Sequence, residues 1–153
     1  MQIDKYDSPM GTMWLSGEAG VLTALSFFQP DVPEAECYDF TQVKHWLDNY
    51  FRGQHCMPDF PMAPRGTAFQ RLVWNLLLEI PFGEIRTYGE VASMAARQMG
   101  KEKMSAQAVG QAVSRNPIAI IIPCHRVIGA GGSLTGYASG IHRKQWLLDH
   151  ERT

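Results

Sequence analysis

The stretch 118-IAIIIPCHRVIG-129 places a cysteine, a histidine and an arginine directly after the most hydrophobic run of the chain. Four of the five residues before the proline are isoleucine, and such a short β-branched run predicts a buried strand. Pro123 has no amide hydrogen, so the strand ladder should stop at the next residue. The sequence therefore predicts a short strand that delivers Cys124 at a fixed position.

The neighbours of Cys124 favour a reactive thiol. A lone buried cysteine is more often an inert apolar residue. His125 and Arg126 change that expectation, because cationic neighbours lower the pKa of a thiol and the thiolate is the nucleophile. His125 could reach the sulfur through a water, and Glu151, one turn beyond an apolar pair in the C-terminal segment, is the candidate carboxylate that orients it. The alternative for Glu151 is a solvated position at a frayed terminus.

Composition and charge restrict the class of protein. The chain has 153 residues, 45% of them hydrophobic, which is enough for a core, and no run long and apolar enough to cross a bilayer. Its three cysteines lack CxxC spacing, which indicates free thiols and a cytoplasmic protein with no membrane partner. No cluster has convincing zinc spacing, so we predict neither a metal nor a cofactor.

The charges are unevenly distributed. Residues 1–64 contain three Lys/Arg and nine Asp/Glu, a balance of −6, whereas residues 65–153 contain eleven and six, a balance of +5. A basic second half indicates contact with a polyanion, and a solvated asymmetry without a ligand is the alternative.

The first half of the chain predicts a small α/β lobe. Residues 1–28 have the pattern of strands, with a hairpin around GEAG, and DFTQVKHWLDNYFRG has the periodicity of an amphipathic helix that ends at Gly53. The proline-rich segment 53–66 reads as a linker. We therefore predict an α/β fold with a sheet-and-helix lobe at 1–60 and a mainly helical lobe at 61–153.

The second half predicts three capped helices. Thr67 with Gln70, and Thr87 with Glu90, have the spacing of capping boxes, and Ser105 is the cap candidate of a third helix. The second and third of these helices are joined by a polar turn, which predicts a helix-turn-helix.

The third helix has a lean apolar face. Its spacing predicts that Ala106, Val109, Gly110 and Val113 pack inward, while Gln107, Gln111 and Ser114 lie on the other stripe. Small residues would let this helix approach a groove closely, and a thin helix packed on its own core is the alternative. Downstream, the loop GAGGSLTGYASG reads as a flexible wall that closes over a small group.

These motifs together resemble a known family. IPCHRV, with Asn116-Pro117 upstream, GYASG and WLLDHE downstream, and GTAFQRLVWNLLLEIPFGEIRTYGEVA before it, closely resembles the O6-alkylguanine-DNA alkyltransferases. The resemblance is dense over residues 65–151 and looser in the first half.

The resemblance implies a suicide reaction that repairs alkylated double-stranded DNA. Cys124 would take the alkyl group from O6 of guanine and keep it, with His125 as a base acting through water and Glu151 orienting it. Asn116 would brace the active-site turn, and Tyr88 would donate to the base and crowd the phosphate. The pocket walls implied are Tyr137, Ala138, Val127 and Pro123.

The resemblance also implies a monomer that lays the third helix in the minor groove and flips the damaged base out of the stack. Gln107 stands where the family commonly has an intercalating arginine. The residues expected to contact DNA are Gln107, Ala106, Ala108, Gly110, Gln111, Ser114, Arg115, Arg126, Lys101 and Lys103.

Other functions use the same residues. A Cys-His-Glu hydrolase would share the triad but turn over, and a lesion sensor would bind damaged DNA without repairing it. O4 of thymine is a second position from which the alkyl group could be taken, and Ala138-Ser139 leaves the range of adduct sizes open.

Overall fold

The N-terminal unit is built on a hairpin that lies where the sequence predicts it. The computed structural model describes residues 1–152, and its first four strands are β1 (Gln2–Ser8), β2 (Gly11–Glu18), β3 (Val21–Ser26) and β4 (Glu36–Cys37). Their order is β3-β2-β1-β4, with β4 parallel to β1 and the other pairs antiparallel. The β2–β3 turn has positive φ at Ala19 and Gly20, which suits the twist of a tight hairpin.

The predicted amphipathic helix is confirmed as α1 (Thr41–Phe51). Its buried face includes Val43 and Leu47, and Gly53, with φ +85°, follows the helix end in the left-handed conformation. The hydroxyl of Tyr6 in β1 donates to Asp48 at 2.7 Å, which attaches the helix to the sheet.

The chain divides into two compact units. One comprises Met1–Arg65 together with Pro117–Ala119, and the other comprises Gly66–Asn116 and the chain from Ile120 onward. Residues 117–119 belong to the first unit because their backbone is hydrogen-bonded to Leu25. The amide of Leu25 donates to Pro117 O, and the amide of Ala119 donates to Leu25 O.

The predicted strand through residues 118–122 is wrong in conformation. Only an isolated bridge joins Ile118 to Leu25, and Ile120 has φ +69°, which no strand ladder accommodates. The burial of this run is nevertheless confirmed, because none of the five residues is more than 8% exposed. Hydrophobicity here reflects a buried, turning segment instead of a strand.

The second unit is mainly helical, as predicted. Its elements are α2 (Ala68–Leu77), β5 (Arg86–Thr87), α3 (Tyr88–Gln98), α4 (Ala106–Ser114), a 3₁₀ turn (Cys124–Arg126), β6 (Val127–Ile128), a second 3₁₀ turn (Ala130–Gly132) and α5 (Ile141–Arg152). Strands β5 and β6 pair in parallel. The α/β class expected from the sequence is confirmed.

The predicted helix caps are present. Thr67 accepts from the amide of Gln70 while the Gln70 side chain accepts from the amide of Thr67, and Thr87 and Glu90 make the same reciprocal pair. Ser105 caps α4 by accepting from the amide of Ala108. Each helix of the predicted helix-turn-helix, α3 and α4, therefore begins where its sequence signal lies.

Helix α4 packs through a slightly different face from the one predicted. Val109, Ala112 and Val113 are buried, and the indole of Trp74 in α2 donates to Ala112 O at 2.8 Å. Ala106, expected to pack inward, is exposed. Ala106 is the first residue of the helix, and the residues that pack inward lie in its later turns.

No helix within residues 1–152 combines the length and apolarity that a membrane span requires.

The capping box of α2 predicts a measurable loss of stability. Thr67→Ala removes the acceptor for the Gln70 amide, and the free energy of unfolding should fall by about 1 kcal/mol in urea denaturation. Asn75→Ala, at an exposed position of the same helix, is the matched control and should stay within about 0.5 kcal/mol of the wild type. Equal stability of both variants would contradict the role of the cap.

Candidate active site

Cys124 lies in a tight turn, not at the end of a strand. It opens the 3₁₀ turn that leads into β6, its amide donates to Ile122 O at 2.8 Å, and the residue is 8% exposed. Pro123 precedes the turn, and its carbonyl accepts from the amide of Arg126 at 3.0 Å. Position 124 is therefore fixed by short-range backbone bonds within a buried segment.

Asn116 links the end of α4 to this turn. Its amide Nδ2 donates to Ile122 O at 2.8 Å, and its side chain also makes a hydrogen bond to the thiol of Cys124. A single side chain thus holds both the backbone before the cysteine and the sulfur itself.

Glu151 in α5 is buried at the centre of a hydrogen-bonded cluster. His125 Nε2 lies 2.5 Å from Glu151 Oε2, and Arg126 Nε donates to Oε1 at 2.7 Å. The amide of Gly83 donates to the same carboxylate at 3.3 Å, and Arg126 Nη1 donates to Ile80 O at 2.7 Å. The carboxylate therefore orients both residues that follow the cysteine.

The protonation of this cluster follows from its burial and charges. Burial alone would raise the pKa of Glu151, but the hydrogen bonds and charges of His125 and Arg126 outweigh it and hold that pKa below its usual range. Burial lowers the pKa of His125, although Glu151 opposes the change. The carboxylate is thus ionised, and a neutral His125 donates its Nε2–H to it.

This tautomer leaves one histidine nitrogen able to accept a proton. His125 Nδ1 is buried and has no hydrogen-bond partner among residues 1–152. A neutral imidazole whose Nε2 carries the proton presents a lone pair at Nδ1. The structure therefore provides a base beside the cysteine whose ring orientation is set by a carboxylate.

The pKa of the Cys124 thiol is raised, not lowered. Burial raises the pKa of Cys124, and the opposing effects of Asn116 and of the Lys144 charge only reduce the shift. A thiol with a raised pKa is protonated at neutral pH, so it needs a base when it reacts.

Tyrosine side chains and a glycine-rich loop surround the cysteine turn. The hydroxyl of Tyr88, the first residue of α3, donates to Thr135 O at 3.0 Å. The hydroxyl of Tyr137 is buried without a hydrogen-bond partner among the described residues, and burial raises its pKa well above the usual value. Val127 is fully buried in β6, while Ala138 is exposed in the loop. These residues supply two phenolic hydroxyls close to the site.

Sequence reasoning missed Lys144. Its side chain is 1% exposed, and Nζ donates to Val127 O at 2.5 Å and to Thr135 O at 3.0 Å. A signal was available, because the buried residues of α5 are Lys144, Leu147, Leu148 and Glu151, at positions i, i+3, i+4 and i+7. The stripe that places Glu151 inside also places Lys144 inside.

The residues expected to contact DNA are mostly accessible. Gln107 and Gln111 are exposed along α4, Arg115 is exposed at its end, and Lys101 and Lys103 are exposed in the turn before it. Partly exposed positions of the same helix are Ala108, Gly110 and Ser114. The accessible positions of α4 thus carry small side chains and amides.

Arg126 is the exception, and its assignment to the DNA surface is corrected. The residue is 8% exposed and its guanidinium is occupied by Glu151 and Ile80 O. The positive charge of Arg126, which was expected to contact DNA, instead pairs with the buried carboxylate of Glu151.

No group of three or more histidine, cysteine, aspartate and glutamate side chains with metal-binding geometry occurs among residues 1–152. A buried cysteine beside a hydrogen-bonded His-Glu pair, on a unit that carries a helix-turn-helix, combines a candidate nucleophile and base with a motif typical of DNA-binding proteins.

Comparisons with known proteins identify the family. The 6-O-methylguanine DNA methyltransferase DNA-binding domain matches residues 68–153, and the ribonuclease-like domain of the same family matches residues 1–64. A methylated-DNA--protein-cysteine methyltransferase of Methanosarcina acetivorans is 46% identical, with 95% of each chain covered. The protein of that name from Mycobacterium tuberculosis is 44% identical over 96% of this chain and 90% of its own.

The fold agrees with solved structures. The crystal structure of Mycobacterium tuberculosis OGT in complex with DNA matches with a TM-score of 0.87 and 43% identity, covering 99% of this chain and 93% of that one. A methyltransferase from Pyrococcus kodakaraensis, 22% identical with a TM-score of 0.68 and 99% of each chain covered, shares the fold. The chain belongs to the 6-O-methylguanine DNA methyltransferase family.

The neutral, buried His125 predicts a loss of stability in mild acid. Its folded pKa lies below the ordinary 6.5, so the unfolded chain binds the proton first as the pH falls. The free energy of unfolding should therefore be highest above pH 6.5 and decline below it, by at most about 1.4 kcal/mol per pH unit. The lowered pKa of Glu151 adds a second decline below pH 4.5.

Urea denaturation between pH 7.5 and pH 5 measures this decline. His125→Asn should weaken it, whereas His142→Gln, at an exposed position, should retain it. A constant free energy of unfolding in the wild type across this range would contradict a neutral His125.

Proposed function

We propose that this protein repairs DNA by direct reversal, transferring one alkyl group from O6 of guanine to Cys124. The observation that carries the proposal is the buried thiol beside the His125–Glu151 pair, in a chain whose relatives are named methylated-DNA--protein-cysteine methyltransferases. Because the carbon–sulfur bond formed is a stable thioether, each chain reacts once.

The transfer is a displacement at the alkyl carbon. The Cys124 proton passes to His125 Nδ1 through a bridging water, and the sulfur then forms a bond to the alkyl carbon while the carbon–O6 bond breaks. The electron pair of the broken bond returns to the guanine, which takes up the proton to become the ordinary base. Glu151 stabilises the imidazolium formed in between.

Tyr88 and Tyr137 are proposed to bind the flipped base. Burial raises the pKa of both hydroxyls, although the bond from Tyr88 to Thr135 opposes its shift, so each phenol keeps its proton at neutral pH. A protonated Tyr88 can donate to a ring nitrogen as negative charge develops on the leaving guanine. Val127, Pro123 and Ala138 complete the pocket around the alkyl group.

Helix α4 is the proposed DNA-binding element. The minor groove of B-DNA is only about 6 Å wide, so a helix with small residues such as Ala106, Ala108 and Gly110 suits it better than a bulky one. Gln111 and Ser114 would contact the groove floor and backbone, and Lys101, Lys103 and Arg115 would contact phosphates.

Base flipping is required by the position of the thiol. O6 of a stacked guanine faces the major groove, where a sulfur held in a buried turn behind a minor-groove helix cannot reach it. Gln107, exposed near the start of α4, is proposed to fill the space that the flipped base leaves. The protein would act as a monomer in the cytoplasm, where its free cysteines Cys37, Cys56 and Cys124 remain reduced.

Label transfer tests this function. Incubation with duplex DNA carrying O6-[³H-methyl]guanine should place one label per chain on Cys124, and Cys124→Ala should take up none. Cys37→Ala with Cys56→Ala, which removes the two exposed thiols, is the matched control and should retain full transfer.

The same experiment separates the alternatives. More than one methyl group released per chain would favour a Cys-His-Glu hydrolase. Tight binding without transfer would favour a lesion sensor.

The intercalating position predicts a difference between duplex and single-stranded substrates. Gln107→Ala should slow transfer from an O6-methylguanine duplex by about tenfold, because the vacated stack is no longer filled. Transfer from a single-stranded oligonucleotide, whose base needs no extrusion from a duplex, should change little. Gln98→Ala, an exposed glutamine of α3, is the control, and an equal loss on both substrates would contradict a role of Gln107 in flipping.

A further inference from the structure

Lys144 is a buried ammonium group without a carboxylate partner. It is 1% exposed, and no ion pair recorded for residues 1–152 involves it. Burying a charge is unfavourable unless hydrogen bonds compensate, and an apolar side chain of similar length would fill the same volume without that cost. Its two recorded acceptors are the carbonyls of Val127 and Thr135.

The Thr135 carbonyl is shared with Tyr88. Lys144 Nζ and Tyr88 Oη each lie 3.0 Å from that oxygen, and Nζ lies 5.8 Å from the centre of the Tyr88 ring. The loop also passes close to the tyrosine hydroxyl, since a Cβ added at Gly136, which has φ +72°, would lie 3.2 Å from it. The glycine-rich loop is therefore attached to the rest of the unit by two donors on one oxygen.

Tyr88 has a single hydroxyl proton, and the loop already uses it. If Tyr88 donates to a guanine in the pocket, as the proposed function requires, it must release the Thr135 carbonyl. Losing a donor would weaken the attachment of the Thr135 carbonyl, so the loop would tend to move away from the base just as the base arrives. Lys144 has three donors and no acceptor, so it can retain both carbonyls while Tyr88 turns to the base.

We propose that Lys144 is a positioning residue that holds the loop at Thr135 and the chain at Val127 while the Tyr88 hydroxyl exchanges Thr135 for the flipped base. The loop wall then keeps its place during transfer. The part that concerns DNA rests on the proposed function, whereas the shared attachment of the loop is a property of the free protein.

Amide hydrogen exchange of the loop 133–138 tests the shared attachment without DNA. Tyr88→Phe leaves Lys144 on the Thr135 carbonyl, and Lys144→Met leaves Tyr88 there, so each should accelerate exchange only modestly. The double variant leaves the carbonyl without a donor and should exchange about tenfold faster than either single variant. A double variant that exchanges no faster than Lys144→Met would overturn the proposal.

Single-turnover transfer from O6-methylguanine duplex DNA tests the consequence. Lys144→Met should lower the maximal rate constant by about 100-fold, the effect of a small misplacement of reacting groups, while the Kd for the duplex stays unchanged. Lys144→Arg keeps donors for both carbonyls and should recover most of the rate. If Lys144→Met does not fold, thermal unfolding of Lys144→Arg shows whether the fold tolerates a change at position 144.

Two results would contradict this role: a wild-type rate in Lys144→Met, or a loss confined to DNA affinity. Failure of the proposed function is distinguishable, because then the wild type itself would place no label on Cys124. In that case the hydrogen-exchange measurements would still show whether Tyr88 and Lys144 both hold the loop through the Thr135 carbonyl.

Discussion

The geometry of the site depends on the buried carboxylate of Glu151. It accepts from His125, Arg126 and the Gly83 amide, and so joins α5 to the cysteine turn and to the segment after α2. Removing one partner of such a buried cluster commonly costs about 3–5 kcal/mol, because the remaining charge is left uncompensated. The orientation of the imidazole and the attachment of the turn to α5 therefore depend on this carboxylate.

Burial has opposite effects on the pKa values of the Cys124 thiol and the His125 imidazole, and both effects suit the proposed single transfer. It raises the pKa of Cys124, which keeps the thiol protonated and unreactive toward other electrophiles, and it lowers the pKa of His125, which keeps the imidazole available as a base. Reactivity then requires the substrate to be in place. The left-handed backbone of Ile120, unusual for a β-branched residue, lies close to this turn and is the kind of strain that functional sites retain.

The sequence predicted interactions between residues that are close together in the chain better than interactions between distant residues. Capping boxes at Thr67 and Thr87 are formed within four residues, so local spacing predicted them. The run before Pro123 was assigned the right burial but the wrong conformation, because hydrophobicity reports the environment and not the backbone angles. Arg126 was assigned to DNA, whereas its partner is Glu151, which lies 25 residues away in the sequence. No local pattern contains that pairing.

The helix proposed to meet DNA and the turn that holds the nucleophile are positioned by the same contacts. Asn116, directly after α4 and its C-cap residue, bonds the carbonyl of Ile122 and the thiol. At the middle of α4, a Cβ on Gly110 would lie 3.7 Å from the Tyr88 ring, so the helix backbone approaches the residue proposed to bind the base. A small residue in α4 thus allows the close approach to Tyr88, in addition to the proposed approach to a groove. If α4 binds DNA as proposed, its position on a duplex would therefore determine where a flipped base meets the sulfur.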